Sequence, residues 1–327
     1  MSTGKASDFK IYHEEYYGGM YEELAQNVDA FNSASQNGVR LVQQDKRGDY
    51  EKESFFDQIS NLITRRDTTS VSTATDLAMT QGELISVKLN RKIGPVAQTL
   101  DAWRKISKDQ REMSYLLGKM IAKNKMHDML ESGIRAAEAA LSGQATLTYD
   151  ASGESTGTMT ATHLVSGMHK LGDQANRIVC WVMHSKVYHD LMKQAISDKI
   201  YEEAGRVVYG AAPGTLGKPV VVTDCDALYV GADSSYATYQ TLGLVPDGIV
   251  VTESEQEELV TDLITGLENL VFRVQGEFAY NVGLKGFTWD ATNGGANPTD
   301  NNLAYADYWD KEVTDAKNCC GVRIITD

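Results

Sequence analysis

Residues 107–142 read SKDQREMSYLLGKMIAKNKMHDMLESGIRAAEAALS, and this stretch decides the architecture. Ser107 with Gln110 three residues on has the form of a capping box, which opens a helix by satisfying otherwise unpaired backbone donors. Beyond it Met113, Leu116, Leu117, Met120, Ile121, Leu130, Ile134, Ala137 and Leu141 keep an approximate 3.6-residue period up to Ser142-Gly143. The pattern predicts a helix over 108–142, roughly 50 Å long at 1.5 Å per residue. Most helices in globular proteins are about a third of that. Gly118 and Gly133 lie inside it and mark a kink or a close contact. A helix of this length outside a coiled coil reads as a girder.

Upstream of the helix the sequence is poor in core-forming residues. The first forty-odd positions place Tyr12, Tyr16, Tyr17 and Tyr21 among Glu14, Glu15, Glu22 and Glu23. With few aliphatic residues, such a segment docks as an arm or pairs with the rest of the chain, its aromatic rings as anchors. Residues 51–66 read as a short helix, with Phe55, Phe56, Ile59, Leu62 and Ile63 at helical spacing. Thr68 to Thr75 is polar and β-tolerant, and Leu84 to Leu89 alternates like a strand. So weakly apolar an excursion makes a poor core element and reads as a projecting loop whose partner is another subunit.

Downstream, residues 142–160 are rich in Ser, Thr and Gly and read as a connection. Arg177 to Met183 is an apolar run suited to a buried strand, and Ser185 caps a helix through Val187, Tyr188, Leu191, Met192 and Ile196. Short strands are expected at Pro219–Thr223, Ala227–Val230 and Gly248–Val251. From Leu270 the chain alternates at period two through Phe272, Val274, Phe278, Tyr280, Val282 and Leu284, with Gly276, Gly283 and Gly286 as bends or bulges. No internal repeat is present. The expected class is α+β: a long helix against a long antiparallel strand system, plus a mixed lobe.

Composition agrees with a globular protein. The 327 residues are 42% hydrophobic and 23% charged, with 28 Gly and 5 Pro, which excludes collagen-like, coiled-coil and wholly disordered classes. The net charge of −14 argues against tight binding to nucleic-acid phosphates. It leaves room for a wall that stands beside DNA. The start has no apolar signal region, and no run of about eighteen apolar residues long enough to span a membrane occurs. Cys180, Cys225, Cys319 and Cys320 are too sparse for a disulfide framework, which suits a reducing cytoplasm.

Candidate chemistry is thin. Gly153-Glu154-Ser155-Thr156-Gly157 matches G-x-S-x-G, but that motif needs a strand-to-helix elbow and here stands in a polar linker. Gly210–Pro219 has Ala212 and Pro219 where a phosphate loop needs Gly and Ser or Thr, so it reads as a turn. His163, His169, His184 and His189 lack acidic partners at ligand spacing. Vicinal Cys319-Cys320 has neither C-x-x-C spacing nor a basic neighbourhood, and Cys180 reads as a small core residue. Glu253, Glu255, Glu257 and Glu258 read as a solvated acidic face, with a divalent-cation site as the lesser alternative. No residue is assigned a catalytic, cofactor-binding or metal-ligating role, no cofactor is expected, and the chain is not read as an enzyme.

Several segments together resemble the major capsid proteins of tailed bacteriophages, which have the Hong Kong 97-like fold. They are Leu62-Ile63-Thr64-Arg65-Arg66-Asp67, Val87 to Val96 ahead of the long helix, Trp181 to Leu191, and Leu216 to Asp224. Most specific is the end: Lys285-Gly286-Phe287-Thr288-Trp289, Asn297-Pro298-Thr299-Asp300, Leu303, Trp309 and Lys317-Asn318. The resemblance implies an N-terminal arm at 1–48, an E-loop region at 49–98 lying over the adjacent subunit, and a P-domain at 99–172 carrying the spine helix 108–142. It further implies an A-domain at 173–262, P-domain return strands at 263–292 and a C-terminal A-domain segment at 293–327.

Implied with it are self-assembly as hexamers and pentamers into an icosahedral head, and partners in portal, scaffold and decoration proteins. The head would enclose double-stranded DNA without specific binding, with no membrane involved, after assembly in the bacterial cytoplasm. A scaffold would be a separate protein. No Lys–Asn pair for covalent cross-linking is identified. The alternatives are an encapsulin-like compartment shell and, distantly, a serine hydrolase using Ser155.

Overall fold

The computed structural model describes residues 27–327 except 45–47, 57–61, 67, 72, 74–75, 100, 102–109, 155–156, 199, 204–205, 210–214, 232–236 and 267. The tyrosine-rich start, the Ser107 capping box and Ser155 therefore lie outside the described residues.

A helix over 27–34 leads to β1 (Val39–Gln43), β2 (Tyr50–Phe56) and β3 (Gln81–Thr99). The long helix spans Gln110–Ser142 and is followed by β4 (Thr148–Asp150) and a helix over Ala161–His169. Next come β5 (Cys180–Met183), a helix over Ser185–Asp198, and β6 (Ile200–Glu203), β7 (Arg206–Tyr209), β8 (Val220–Val222) and β9 (Tyr229–Val230). The chain continues through β10 (Thr238–Leu244), β11 (Ile249–Ile264), β12 (Val271–Leu284) and β13 (Phe287–Trp289). A one-turn helix at Asp300–Leu303 precedes β14 (Trp309–Lys311) and β15 (Gly321–Thr326).

Two sheets organise these elements. The larger has the order β1-β11-β12-β13-β14, with β3 also pairing β12 and β2 pairing β3. The second has the order β4-β15-β10-β5-β8, with β9 on β10, while β6 and β7 form a separate hairpin. Period-two reading of β12 holds: Val274, Phe278, Tyr280 and Val282 are buried on the face that meets the long helix. The expected strands near 180 and 220 are present as β5 and β8, and β5 is wholly buried.

The long helix runs across the larger sheet and ends in a run of small residues. Ala136, Ala137, Ala139 and Ala140 are fully buried, so sheet and C-terminal segments approach the helix closely. Gly133 marks the close contact the sequence suggested. A Cβ there would stand 2.8 Å from Ile249 Cγ2 and 3.1 Å from Val251 Cγ2, too near for either strand residue to keep its place.

Three expectations are corrected. Residues 50–56 form strand β2, not the start of a helix, because Tyr50–Phe56 pairs antiparallel with Gln81–Val87 along its whole length. Pairing with a distant strand overrides a local 3.6 pattern that had no core to face. Ser185 is the first helical residue and not its cap. His184 Nδ1 accepts from Lys186 N at 3.2 Å, and Asp224 Oδ1 accepts from Ser185 N at 3.3 Å. The acidic stretch 253–258 is only half a solvated face, for reasons given below.

Candidate assembly surfaces

The first surface is the excursion between β2 and β3. Its described residues from Leu62 to Thr80 form neither helix nor strand. Leu62, Ile63, Val71, Leu77 and Met79 are all exposed there, as is Phe56 at the end of β2. Leaving several large apolar side chains in water on one segment forfeits burial of about 1.5–3 kcal/mol each, and contiguous exposure of this kind marks a contact surface.

The second surface is the ribbon β11–β12–β3. Pairing of β1 with β11 stops at Glu253, and pairing of β2 with β3 stops at Val87. Among the described residues no further strand pairs with β11 beyond Glu253 or with the outer side of β3 beyond Val87. An open edge is a template for another strand. Two irregularities shape the ribbon. In β11 two residues facing the partner strand are gained between Glu253 and Glu258, and in β3 one is gained at Gly94-Pro95. Gly94 sits at φ 71°, where a side chain would be strained, and a Cβ would fall 2.7 Å from Val96 N.

The β11 bulges also sort the four glutamates. Strict alternation would put Glu253, Glu255 and Glu257 on one face. With the extra residues, Glu255 and Glu258 turn outward, while Glu253 and Glu257 turn toward the long helix and are 4% and 5% exposed. There they meet Lys125, itself 2% exposed. Its Nζ donates to Glu253 Oε1 at 2.5 Å and to Glu257 Oε2, and stands 5.2 Å from the centre of the Phe278 ring. The lysine ammonium thus occupies the place a divalent cation would take. Two carboxylates against one ammonium leave a buried excess of one negative charge. Burial pushes the Glu253 carboxyl above its ordinary range against the pull of Lys125, and Glu257 adds to the rise.

A second polar cluster lies one turn along the helix. Arg91 of β3 meets Asp128 at 3.0 Å and Asp300 at 2.7 Å. Tyr280 donates to Asp128 Oδ2 at 2.6 Å, and Ser132 lies 2.9 Å from the same phenol oxygen. Near the helix end, Glu138 pairs with Arg323 of β15 at 2.8 Å. Charged contacts therefore fix the helix to the ribbon, to the Asp300–Leu303 turn and to the second sheet. Orientation is specified as well as burial.

Sequence reading missed Lys125, although it stands between Ala122 and Met129 on the buried helix face. A lysine on an apolar stripe, in a chain with four clustered glutamates, was the available signal.

The chemical candidates are not brought together. His163 is buried with Nε2 3.5 Å from Glu154, while His169 is exposed. His184 caps a helix and packs on Tyr239, and His189 Nδ1 lies 2.6 Å from Ser185 O. Among the described residues no group of three or more His, Cys, Asp or Glu side chains could hold a metal ion. Near the G-x-S-x-G segment, β4 ends at Asp150 and the next helix starts only at Ala161, so no strand turns directly into a helix. Residues 215–218 of the false phosphate loop form a turn, with Leu216 and Gly217 at positive φ. All four cysteines are buried and unpaired, and burial pushes the Cys180 thiol up to about 12 and those of Cys225 and Cys319 to about 11. Such thiols are inert.

A family model described as Major capsid protein 13-like matches residues 8–323. No curated protein matches the sequence. The capsid asymmetric unit of cyanophage Pam1 is similar in structure at 12% identity, over 86% of this chain and 85% of that one, with a TM-score of 0.50. The capsid of Ralstonia phage GP4 aligns at 12% identity over 88% and 87% of the two chains, with a TM-score of 0.48. The acid-stable capsid of Helicobacter pylori bacteriophage KHP30 aligns at 10% identity over 90% and 89%, with a TM-score of 0.49.

Proposed function

The chain belongs to the major capsid protein 13-like family, and from that premise we propose that it assembles as hexamers and pentamers into an icosahedral head around double-stranded DNA. Its fold is the α+β Hong Kong 97-like capsid fold, and it is a structural component of a phage virion, not an enzyme. The observation that carries the assembly reading is the excursion from Phe56 to Thr80. With Phe56 at the end of β2 it exposes Leu62, Ile63, Val71, Leu77 and Met79.

In this reading residues 1–48 are an arm and 49–98 an E-loop region, both draped on neighbours. Residues 99–172 and 263–292 make the P-domain around the long helix, and 173–262 with 293–327 make the A-domain directed at the five- and six-fold centres. Each subunit repeats one set of heterologous contacts, which close into rings and then a shell. At −14 per copy the subunits repel, so cohesion comes from apolar burial and local charge matching. DNA is enclosed without specific recognition. Portal, scaffold and decoration proteins are further partners, and assembly takes place in the host cytoplasm.

Replacing residues 62–80 by a short Gly-Ser linker tests this reading. The subunit should keep its melting temperature and lose the ability to form shells. Shell formation at wild-type concentration by the shortened chain would overturn the role given to the excursion.

A further inference from the structure

We propose that Glu253 and Glu257 hold one proton between them beside Lys125, and that its loss in alkaline solution frees the bulged segment 254–257 of β11 from the long helix. The pair is a pH-sensitive latch between helix and ribbon.

The geometry leaves the cluster short of one positive charge and one hydrogen-bond donor. Lys125 Nζ donates to Glu253 Oε1 at 2.5 Å and to Glu257 Oε2, while Glu257 Oε1 is buried with no hydrogen-bond partner. An ionised oxygen in that setting has lost its water and gained nothing in exchange. The two carboxyls also stand within hydrogen-bonding reach of each other, a contact that only a proton makes favourable. One proton supplies both missing parts. The triad then holds one ammonium, one carboxylate and one carboxylic acid, and is neutral.

Neighbouring elements do not supply the charge. On the long helix, Asp128 is held by Arg91 and Tyr280. From β12 come the Phe278 ring and the Tyr280 phenol, the latter donating to Asp128. From β3, Arg91 is bound to Asp128 and Asp300, and Lys88 to Glu255. Strand β1 reaches Glu253 at uncharged Gln43 in the register. The helix over 27–34 packs with Val28 and Phe31 and keeps Asp29 exposed. Among the described residues Lys125 is the one cation that pairs with either glutamate. Glu138 makes the contrast, since it meets Arg323 one to one.

The place that moves is built into the strand. Pairing of β1 with β11 ends at Glu253, and the register of β11 on β12 shifts between Glu253 and Glu255 and again between Glu255 and Glu258. Segment 254–257 is therefore tied to its neighbour less regularly than the rest of β11, and its contact with the helix carries more of its anchoring. The folded carboxyl is raised above its ordinary 4.5, so the latch is fully closed below that value and opens as pH rises through the raised one.

Hydrogen exchange of the full-length chain, read by mass spectrometry, compares wild type with Glu257→Gln and Glu253→Gln. Either substitution puts a permanent amide donor where the proton sits and leaves Lys125 with one carboxylate. At about pH 5 all of them should protect residues 250–260 equally. At about pH 9 wild type should exchange there about tenfold faster than either variant at the same pH, with β15 as the unchanged reference. Infrared spectra of folded wild type at neutral pH should show a protonated-carboxyl band that both variants lack. Equal protection of wild type and variants at about pH 9, a variant that keeps the wild-type response, or a folded wild type without the band would overturn the latch. The last reading needs no variant to fold. None of them depends on assembly, so their failure leaves head-building intact.

Discussion

Replacing Lys125 by methionine keeps the length of the side chain on the long helix and removes the cation between Glu253 and Glu257. Both glutamates are at least nine-tenths buried, and no other cation pairs with either among the described residues. Two carboxylates would then face each other in an apolar setting beside Phe278. Breaking a buried ion pair from one side costs about 3–5 kcal/mol. For 327 residues the unfolding entropy is about 0.7 kcal/mol/K, so the melting temperature should fall by about 4–7 °C. Glu257→Gln makes the opposite change. It removes the excess negative charge, leaves Lys125 paired with Glu253, and should shift stability by less than about 1 kcal/mol. Thermal unfolding followed by circular dichroism at neutral pH compares the three chains directly. Equal losses for Lys125→Met and Glu257→Gln would refute the view that the lysine neutralises a surplus of buried carboxylate.

Three further outcomes follow from the same packing. Because burial raises the folded Glu253 carboxyl above its ordinary 4.5, its stabilising share is complete below that value and is lost as pH rises through the raised one. The melting-temperature advantage of Glu257→Gln over wild type should therefore be absent below about pH 4.5 and grow toward neutrality, and a pH-independent difference would contradict this. Gly133→Val should destabilise the subunit by about 1–3 kcal/mol through overpacking against Ile249 and Val251, measured by urea unfolding; a neutral effect would mean the helix can lift from β11 without cost. Alkylation with iodoacetamide at pH 7.5 should label none of the four cysteines in the folded chain and all four in urea, since burial raises every thiol.

What could be read from the sequence was what repeats locally. The long helix announced itself by nine apolar positions at one period, of which Ile121, Ile134, Ala137 and Leu141 are buried while Leu116 and Met120 stay exposed, and β12 by alternation from Phe272 to Leu284, which has a face to bury. Strand β2 was misread because Phe55 and Phe56 suit either period and the deciding partner, Gln81–Val87, lies beyond a long excursion. The ion triad joins residues 128 and 132 positions apart, and its inward glutamates depend on two bulges that no periodicity reveals. The weakly apolar excursion was legible only in part: Thr68–Thr75 read as a polar stretch without a core face, but residues 62–66 read as helix, and Leu84–Leu89, read with the excursion, lies in β3, where Val87 and Leu89 are buried. Too few apolar residues in too polar a context cannot offset the entropy of ordering alone.

The central claim is that this chain closes into shells through repeated contacts between copies. Sedimentation of the purified full-length protein, with negative-stain microscopy of the same fractions and co-expression with its neighbouring virion proteins, tests it most directly. The account predicts hexamers and pentamers that convert to closed shells or tubes, and dependence of that conversion on residues 62–80. A strictly monomeric species under every condition, including crowding and co-expression, would contradict it.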